Sequence, residues 1–298
     1  MGERTATRFM AAPYVVGLLL LLVVPAVVTA ALSLSDYDLI GAPSFAGLGN
    51  FDDLLHDPAF ADALPATLAF LALAVPLRVG GALALALLLH RAFRLASVHR
   101  AAVYLPTVVP DVAIALLWLF LANPLYGPIA ILLGSAGLPV PALLTSGTGA
   151  LALVVLMSAF ALGEGFVIAL AVRRELPEEL YELARAEGAS AFFSFRRLTL
   201  PLMAPTLALL ACRDVALSLQ FAFVPALLVT GGGPDRATTF LPLLVYRNAF
   251  ENGRYGYAAA MTVVTFAITL AIVAAQLRVL RRGRLGLDAH AGSRTLRP

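Results

Sequence analysis

LPEELYELARAEGASAFFSFRRLTLPLMAP, Leu176 to Pro205, is a charged stretch set between two long apolar ones. Pro177 suits the first turn of a helix, where its missing N–H has no partner to lose. Glu178, Glu179 and Glu182 fall early, near the positive end of the helix dipole. Leu180, Leu183, Ala184 and Glu187 repeat at i, i+3, i+4 and i+7 and share one face. Gly188 then supplies the residue that takes positive φ, ending the helix and turning the chain. A second amphipathic stretch, Phe192 to Leu198, leads to Leu200-Pro201, where the next apolar run starts. The segment therefore reads as an acidic helix, a glycine turn and an aromatic, Arg-rich helix. Such a knob suits docking into a cleft of another protein, with Ala184 allowing close approach and Glu182 meeting a basic residue. The competing reading is a helix lying on lipid headgroups. An acidic first turn is a poor match for an anionic leaflet and favours the protein partner.

Working outward, the flanking runs 149–172 and 201–228 are two of six spans, the others being 10–33, 66–89, 101–122 and 257–280. Each offers about 20 mostly apolar residues, the length a ~30 Å hydrocarbon core requires. The chain of 298 residues is 60% hydrophobic and 13% charged, with mean hydropathy +0.89. A water-facing surface needs more charge than that, whereas a lipid-facing one needs none. The fold class expected is an all-α membrane protein, a single transmembrane domain over residues 1–298. The first span reads as an uncleaved helix, not a signal peptide ending at Val28-Thr29-Ala30, because its apolar run is too long. The segment after Arg284 is polar and reads as dispensable for folding.

Arginine placement sets the orientation. Arg4 and Arg8 precede the first span. Arg91, Arg94 and Arg100 follow the second. Arg173, Arg174, Arg185, Arg196 and Arg197 follow the fourth, and Arg278 onward follow the sixth. Residues 34–65 carry no Arg, only acids, and residues 123–148 carry no charge. Both termini are expected in the cytoplasm.

Several chemistries are excluded. The basic residues are all Arg, so the chain lacks the Lys of a nucleotide-binding P-loop. His56, His90, His99 and His290 are scattered, without metal-ligand spacing. Cys212 stands alone in an apolar run, so there is no disulfide framework. The net charge of +3 is explained by topology, not by a nucleic-acid partner.

The segment at Leu176–Pro205 resembles the EAA loop of ABC-importer permeases on Glu182, Ala184, Gly188, Leu200 and Pro201, with Leu183 in place of the first Ala. LPEELYE, EGAS and FRRLTLPL are similar to the sugar-type subfamily. So are FAGLGNF (Phe45 to Phe51), Val75-Pro76-Leu77, Leu105-Pro106, and TGGGP (Thr230 to Pro234) followed by VYRNAF and YGYAAAM. That last block resembles the first of the two permease subunits of maltose-, lactose- and glycerol-3-phosphate-type systems. The resemblance implies a type I importer transmembrane fold of six helices with a cytoplasmic coupling-helix loop, in a bacterial cytoplasmic membrane. It implies that Glu182, Ala184, Glu187, Gly188 and Ala189 dock a separate ATPase, present in two copies, which binds the ATP. A second permease would complete a heterodimer, and an extracytoplasmic solute-binding protein would deliver the solute. No cofactor is implied. Gly231, Gly232, Gly233 and Pro234 would face the binding protein; read physically, they make a tight turn or a nest of backbone N–H groups.

A charge inside a span costs about 2.5–3.5 kcal/mol on insertion scales and needs a partner or a cavity. Arg78, Glu164, Arg213 and Gln220 are candidates for a polar solute path, with Phe221 and Phe223 as rings to stack on a sugar. Asp111 falls near the cytoplasmic end of its span and reads as a structural charge. Arg213 and Asp214 are adjacent, point about 100° apart, and so need at least one interhelical partner. Two features depart from the subfamily pattern: Phe223-Val224 where relatives often carry Phe-Asp, and Glu164 between Gly163 and Gly165. The alternative function is a secondary transporter driven by an ion gradient. That class favours inverted repeats and broken mid-membrane helices, neither of which the sequence displays.

Overall fold

The structure is a computed structural model that describes residues 3–91 and 94–292; Arg294 and Arg297 of the C-terminal arginine cluster lie outside them. Among the described residues, four helices are by themselves long and apolar enough to cross a membrane, and six when each of two bent pairs counts as one span. The chain falls into two compact units.

One unit comprises the residues up to Ala61 with Leu241–Ile268. Its first helix runs through Glu3–Leu18, a π turn at Leu19–Val23 and Val24–Leu32. The π turn lets the Val24 N–H reach Leu19 O just before Pro25, which has no N–H to give. None of its side chains from Tyr14 to Leu32 is buried within the chain. A helix this apolar needs lipid or another subunit around it. Beyond it, Ser35–Asp36 pairs antiparallel with Ser44–Phe45, Ser35 opposite Phe45 and Asp36 opposite Ser44. The Asn50 amide donates to Ser33 O (3.0 Å) and Ser35 O (2.8 Å), and the Gly256 N–H donates to Tyr37 O. The GLGN and YGY motifs thus meet on one turn of backbone. Tyr257 Oη donates to Asp57 at 2.6 Å, and the Arg254 guanidinium lies 4.2 Å from the Tyr257 ring centroid.

The other unit comprises Asp62–Phe240 with the chain from Thr269. Its core is formed by Ala82, Leu83, Ala86 and Leu89 of the Pro58–Leu89 helix, Phe166, Ala169 and Leu170 of Gly163–Glu175, and Met203 and Leu210 of Leu200–Pro225. Alanines at the crossings let the helices approach closely, as helices in a bilayer do.

The expected spans 101–122 and 149–172 are not continuous. The first is bent by 99° between Ala96–Val108 and Asp111–Leu121. Pro110 forces Val109 into extended backbone (ψ 133°), as a proline does to its predecessor. The second is bent by 48° between Gly147–Phe160 and Gly163–Glu175. Its break packs on the first: a Cβ on Gly163 would lie 2.9 Å from Tyr104 Cα and from Val103 O. The expected span 201–228 starts earlier, as one helix from Ala191 to Thr230. A π turn at Phe195–Thr199, with the Leu200 N–H on Phe195 O, carries it past Pro201 without a stop.

Candidate functional site

Three sites carry the sequence-derived candidates. The first is a cavity of about 210 Å³ beside the two breaks, lined by Arg78, Thr107, Asp111, Glu164, Gln220 and Phe221 among others. Four of the six path candidates thus come together there. Arg213 reaches the cavity through its ion pair with Glu164. Phe223 does not line it. Asp111, read from sequence as a structural charge near a span end, begins the second half of the bent span straight after Pro110 and also lines the cavity. Two prolines four apart, Pro106 and Pro110, were the available signal.

Behind this cavity lies a buried charge cluster. Arg78 Nε donates to Asp214 Oδ2 at 2.9 Å and Arg78 Nη1 to Ser158 O at 3.2 Å. The side chains are 10% and 7% exposed. The adjacent pair Arg213 and Asp214 is therefore satisfied on both sides, by Glu164 and by Arg78.

The second site is the loop at Leu176–Pro205. Pro177 stands at the N-cap (φ −59°, ψ 119°), one place before the helix Glu178–Ala186. Gly188 has φ +79°, a conformation that disfavours any Cβ. Its N–H donates to Arg185 O at 3.0 Å, and the Ala189 N–H to Ala184 O at 2.8 Å, closing the helix end. Ser190 Oγ then accepts from the Phe193 N–H and caps the next helix. The anchor of the knob is Tyr181, which periodicity did not single out. It is 9% exposed, its hydroxyl lies 3.0 Å from Thr199 Oγ1, and the Arg173 guanidinium sits 4.4 Å from its ring centroid. Arg173 also reaches Glu178 at 3.7 Å and His90 Nε2 at 3.4 Å. Burial, then the nearby guanidiniums of Arg173 and Arg91, holds the His90 imidazole below its ordinary pKa of 6.5. With Tyr181 turned inward, Leu180 (40% exposed) and Leu183 (62%) face out beside Glu182 and Glu187.

The third site is the TGGGP turn. Gly231 and Gly232 take positive φ, so the tight turn forms. It is not a nest of open N–H groups at Gly232 and Gly233, because these donate to Ala226 O (2.9 Å) and Thr230 O (3.0 Å). Buried Thr238 and Thr239 tie it from behind: Thr239 Oγ1 donates to Gly232 O, and Thr230 and Thr238 hydroxyls lie 2.7 Å apart. Arg236 pairs with Asp62 at 3.1 Å. Among the described residues no group of three or more His, Cys, Asp or Glu side chains is placed to hold a metal ion.

Residues 79–284 match the family described as "Binding-protein-dependent transport system inner membrane component". The chain is 33% identical over 247 residues to the sn-glycerol-3-phosphate transport system permease protein UgpA of Brucella abortus, covering 82% of this chain and 84% of that one. It is 31% identical over 262 residues to the probable ABC transporter permease protein YesP of Bacillus subtilis (86% and 84% covered). It is 31% identical over 272 residues to the trehalose/maltose transport system permease protein MalF of Thermococcus litoralis (90% and 91% covered). Among solved structures, a chain of a bacterial ABC transporter involved in import of the acidic polysaccharide alginate superposes with TM-score 0.80 at 23% identity, covering 93% of this chain and 95% of that one. The fold is that of an ABC importer permease of type I, as the resemblance implied.

Proposed function

Because the chain belongs to the family of inner membrane components of binding-protein-dependent transport systems, we propose that it forms half of the path by which an ABC importer admits a sugar or related polyol. It is a transport component and not an enzyme, and a multi-pass protein of the inner membrane. Its helix breaks remove one argument made from sequence against an ion-driven secondary transporter. Family membership supplies the stronger one.

In the proposed assembly this chain is a single permease domain that pairs with a second permease. Two ATPase copies bind the loops of the pair, and an extracytoplasmic binding protein docks where Gly231 to Pro234 turn. The arginine distribution supports cytoplasmic termini. The observation that carries the reading is the knob at Leu176–Pro205. Tyr181 secures it from behind, so Leu180, Glu182, Leu183 and Glu187 are left facing outward for a partner. ATP-driven closure of the partner dimer would move both knobs and rock the helices around the cavity, a rigid-body switch driven by differential binding. The cavity with Arg78, Glu164, Gln220 and Phe221 would be this chain's share of the solute path. The named relatives are transport proteins for sn-glycerol-3-phosphate, which is anionic, and for trehalose and maltose, which are uncharged.

Affinity-tagged chain, solubilised in mild detergent from its own cells, tests the assembly. An ATPase with a P-loop and a second permease are expected to co-purify in fixed proportion. Recovery of the chain without any ATPase, from membranes that show ATP-dependent uptake, would contradict it.

A further inference from the structure

The charges around the central cavity discriminate among solutes. Its cations are already matched, Arg78 by Asp214 and Arg213 by Glu164. Asp111 lines the same cavity and has no ion-pair partner among the described residues. A carboxylate accepts hydrogen bonds and never donates them. Thr107 adds lone pairs only, because its hydroxyl proton is given to Tyr104 O. Gln220 is the one lining side chain among those named here that both donates and accepts. The wall thus offers several acceptors and carries one uncompensated negative charge, while Arg78 and Gln220 supply N–H donors. A hydroxyl-rich solute, which both donates and accepts, matches both. A carboxylate or phosphate brings further acceptors and meets Asp111 as a like charge, which disfavours it.

We infer that Asp111 is a specificity-determining residue of the solute path, admitting uncharged, hydroxyl-rich solutes and refusing anionic ones. It stands in the first helical turn after the break at Pro110. The inference rests on the cavity being the path, and the test separates the two.

The complete transporter, this chain with its partner subunits, is placed in lipid nanodiscs carrying Cys212→Ala and Ala161→Cys in this chain. Ala161 lines the cavity. Labelling of the introduced thiol by a small uncharged maleimide is followed on its own peptide by mass spectrometry. The probes are maltose, trehalose and glucitol against gluconate, glucuronate and glycerol 3-phosphate. Uncharged probes are expected to slow labelling by about tenfold or more, and anionic probes to leave it unchanged. Asp111→Arg should reverse that preference, and Asp111→Asn, which keeps the shape, should narrow it should the Arg variant fail to assemble. Anionic probes slowing labelling as much as uncharged ones, or a preference unmoved by both variants, would overturn the role of Asp111 while leaving the cavity a solute site. No probe of either class slowing labelling in a transporter that takes up one of them would overturn the cavity as the path, and the inference with it.

Discussion

The buried pair of Arg78 and Asp214 allows a stability prediction with a worked magnitude. The ions are 2.9 Å apart and about nine-tenths buried, and among the described residues only Ser158 O gives Arg78 a further bond. Removing one member leaves the other charged, desolvated and largely unmatched, which costs about 3–5 kcal/mol. Set against typical stabilities of about 5–15 kcal/mol, that is a large fraction. Asp214→Asn and Arg78→Met should each lose most of their membrane abundance and unfold early in detergent. The double variant Arg78→Met with Asp214→Leu removes both charges and their desolvation together, so it should be far less destabilised than either single change. Unfolding in mixed micelles at matched lipid content measures all three. Single variants within about 0.5 kcal/mol of wild type, or a double variant as costly as the sum of the singles, would refute the structural role. Stable single variants with lost uptake would show instead that Arg78 acts directly on the solute.

Other perturbations follow from the same contacts. Gly163→Ala puts a Cβ 2.9 Å from the Tyr104 backbone, so the two broken spans must part, and thermal unfolding should report a loss of about 1–3 kcal/mol; an unchanged melting temperature would contradict the close crossing. His90 has a folded pKa below its unfolded value of 6.5, so its protonation favours unfolding. Stability should be full above about pH 6.5 and fall as pH drops below it, and His90→Gln should flatten that slope; equal slopes for both proteins would dismiss the effect. In a Cys212→Ala background, a cysteine replacing the exposed Ser44 should react with an impermeant reagent from outside, and one replacing the exposed Ser190 only from inside. The opposite pattern would invert the topology.

The sequence was most readable where local chemistry decides structure. Gly188 needs a positive φ whatever surrounds it, and the structure places it at +79°. Apolar runs of about 20 residues announce helices, but hydropathy counts side chains and not backbone hydrogen bonds. It therefore joined 101–122 into one span across Pro106 and Pro110 and gave no sign that the helix starting at Asp111 borders the cavity. The two charges at Arg213 and Asp214 demanded interhelical partners, yet the identity of those partners was not legible. Arg78 lies 136 residues from Asp214 along the chain, and only packing brings them together. Tyr181 escaped for a related reason. Helical spacing groups Leu180 with Leu183 and Ala184, but which side of a short amphipathic helix turns inward depends on Arg173 and Thr199, supplied by other helices.

The central claim, that the knob at Leu176–Pro205 couples this chain to an ATPase, is tested most directly by Glu182→Arg and Gly188→Val. Within the chain Glu182 only skirts Arg185 at 4.0 Å and is 68% exposed, so its replacement costs the fold little. Against a basic partner site the reversal introduces repulsion where losing a buried charge pair already costs about 2–5 kcal/mol. Gly188→Val strains a φ of +79° by about 1–2 kcal/mol and misdirects the outward face. The measurement is solute uptake and solute-stimulated ATP hydrolysis at matched membrane abundance, with ATPase recovery on the tagged chain. Both variants should insert normally and lose uptake and stimulated hydrolysis together, and Glu182→Arg should also lose the ATPase on purification. Wild-type uptake and recovery in both would contradict the account and leave the knob a helix on the lipid surface.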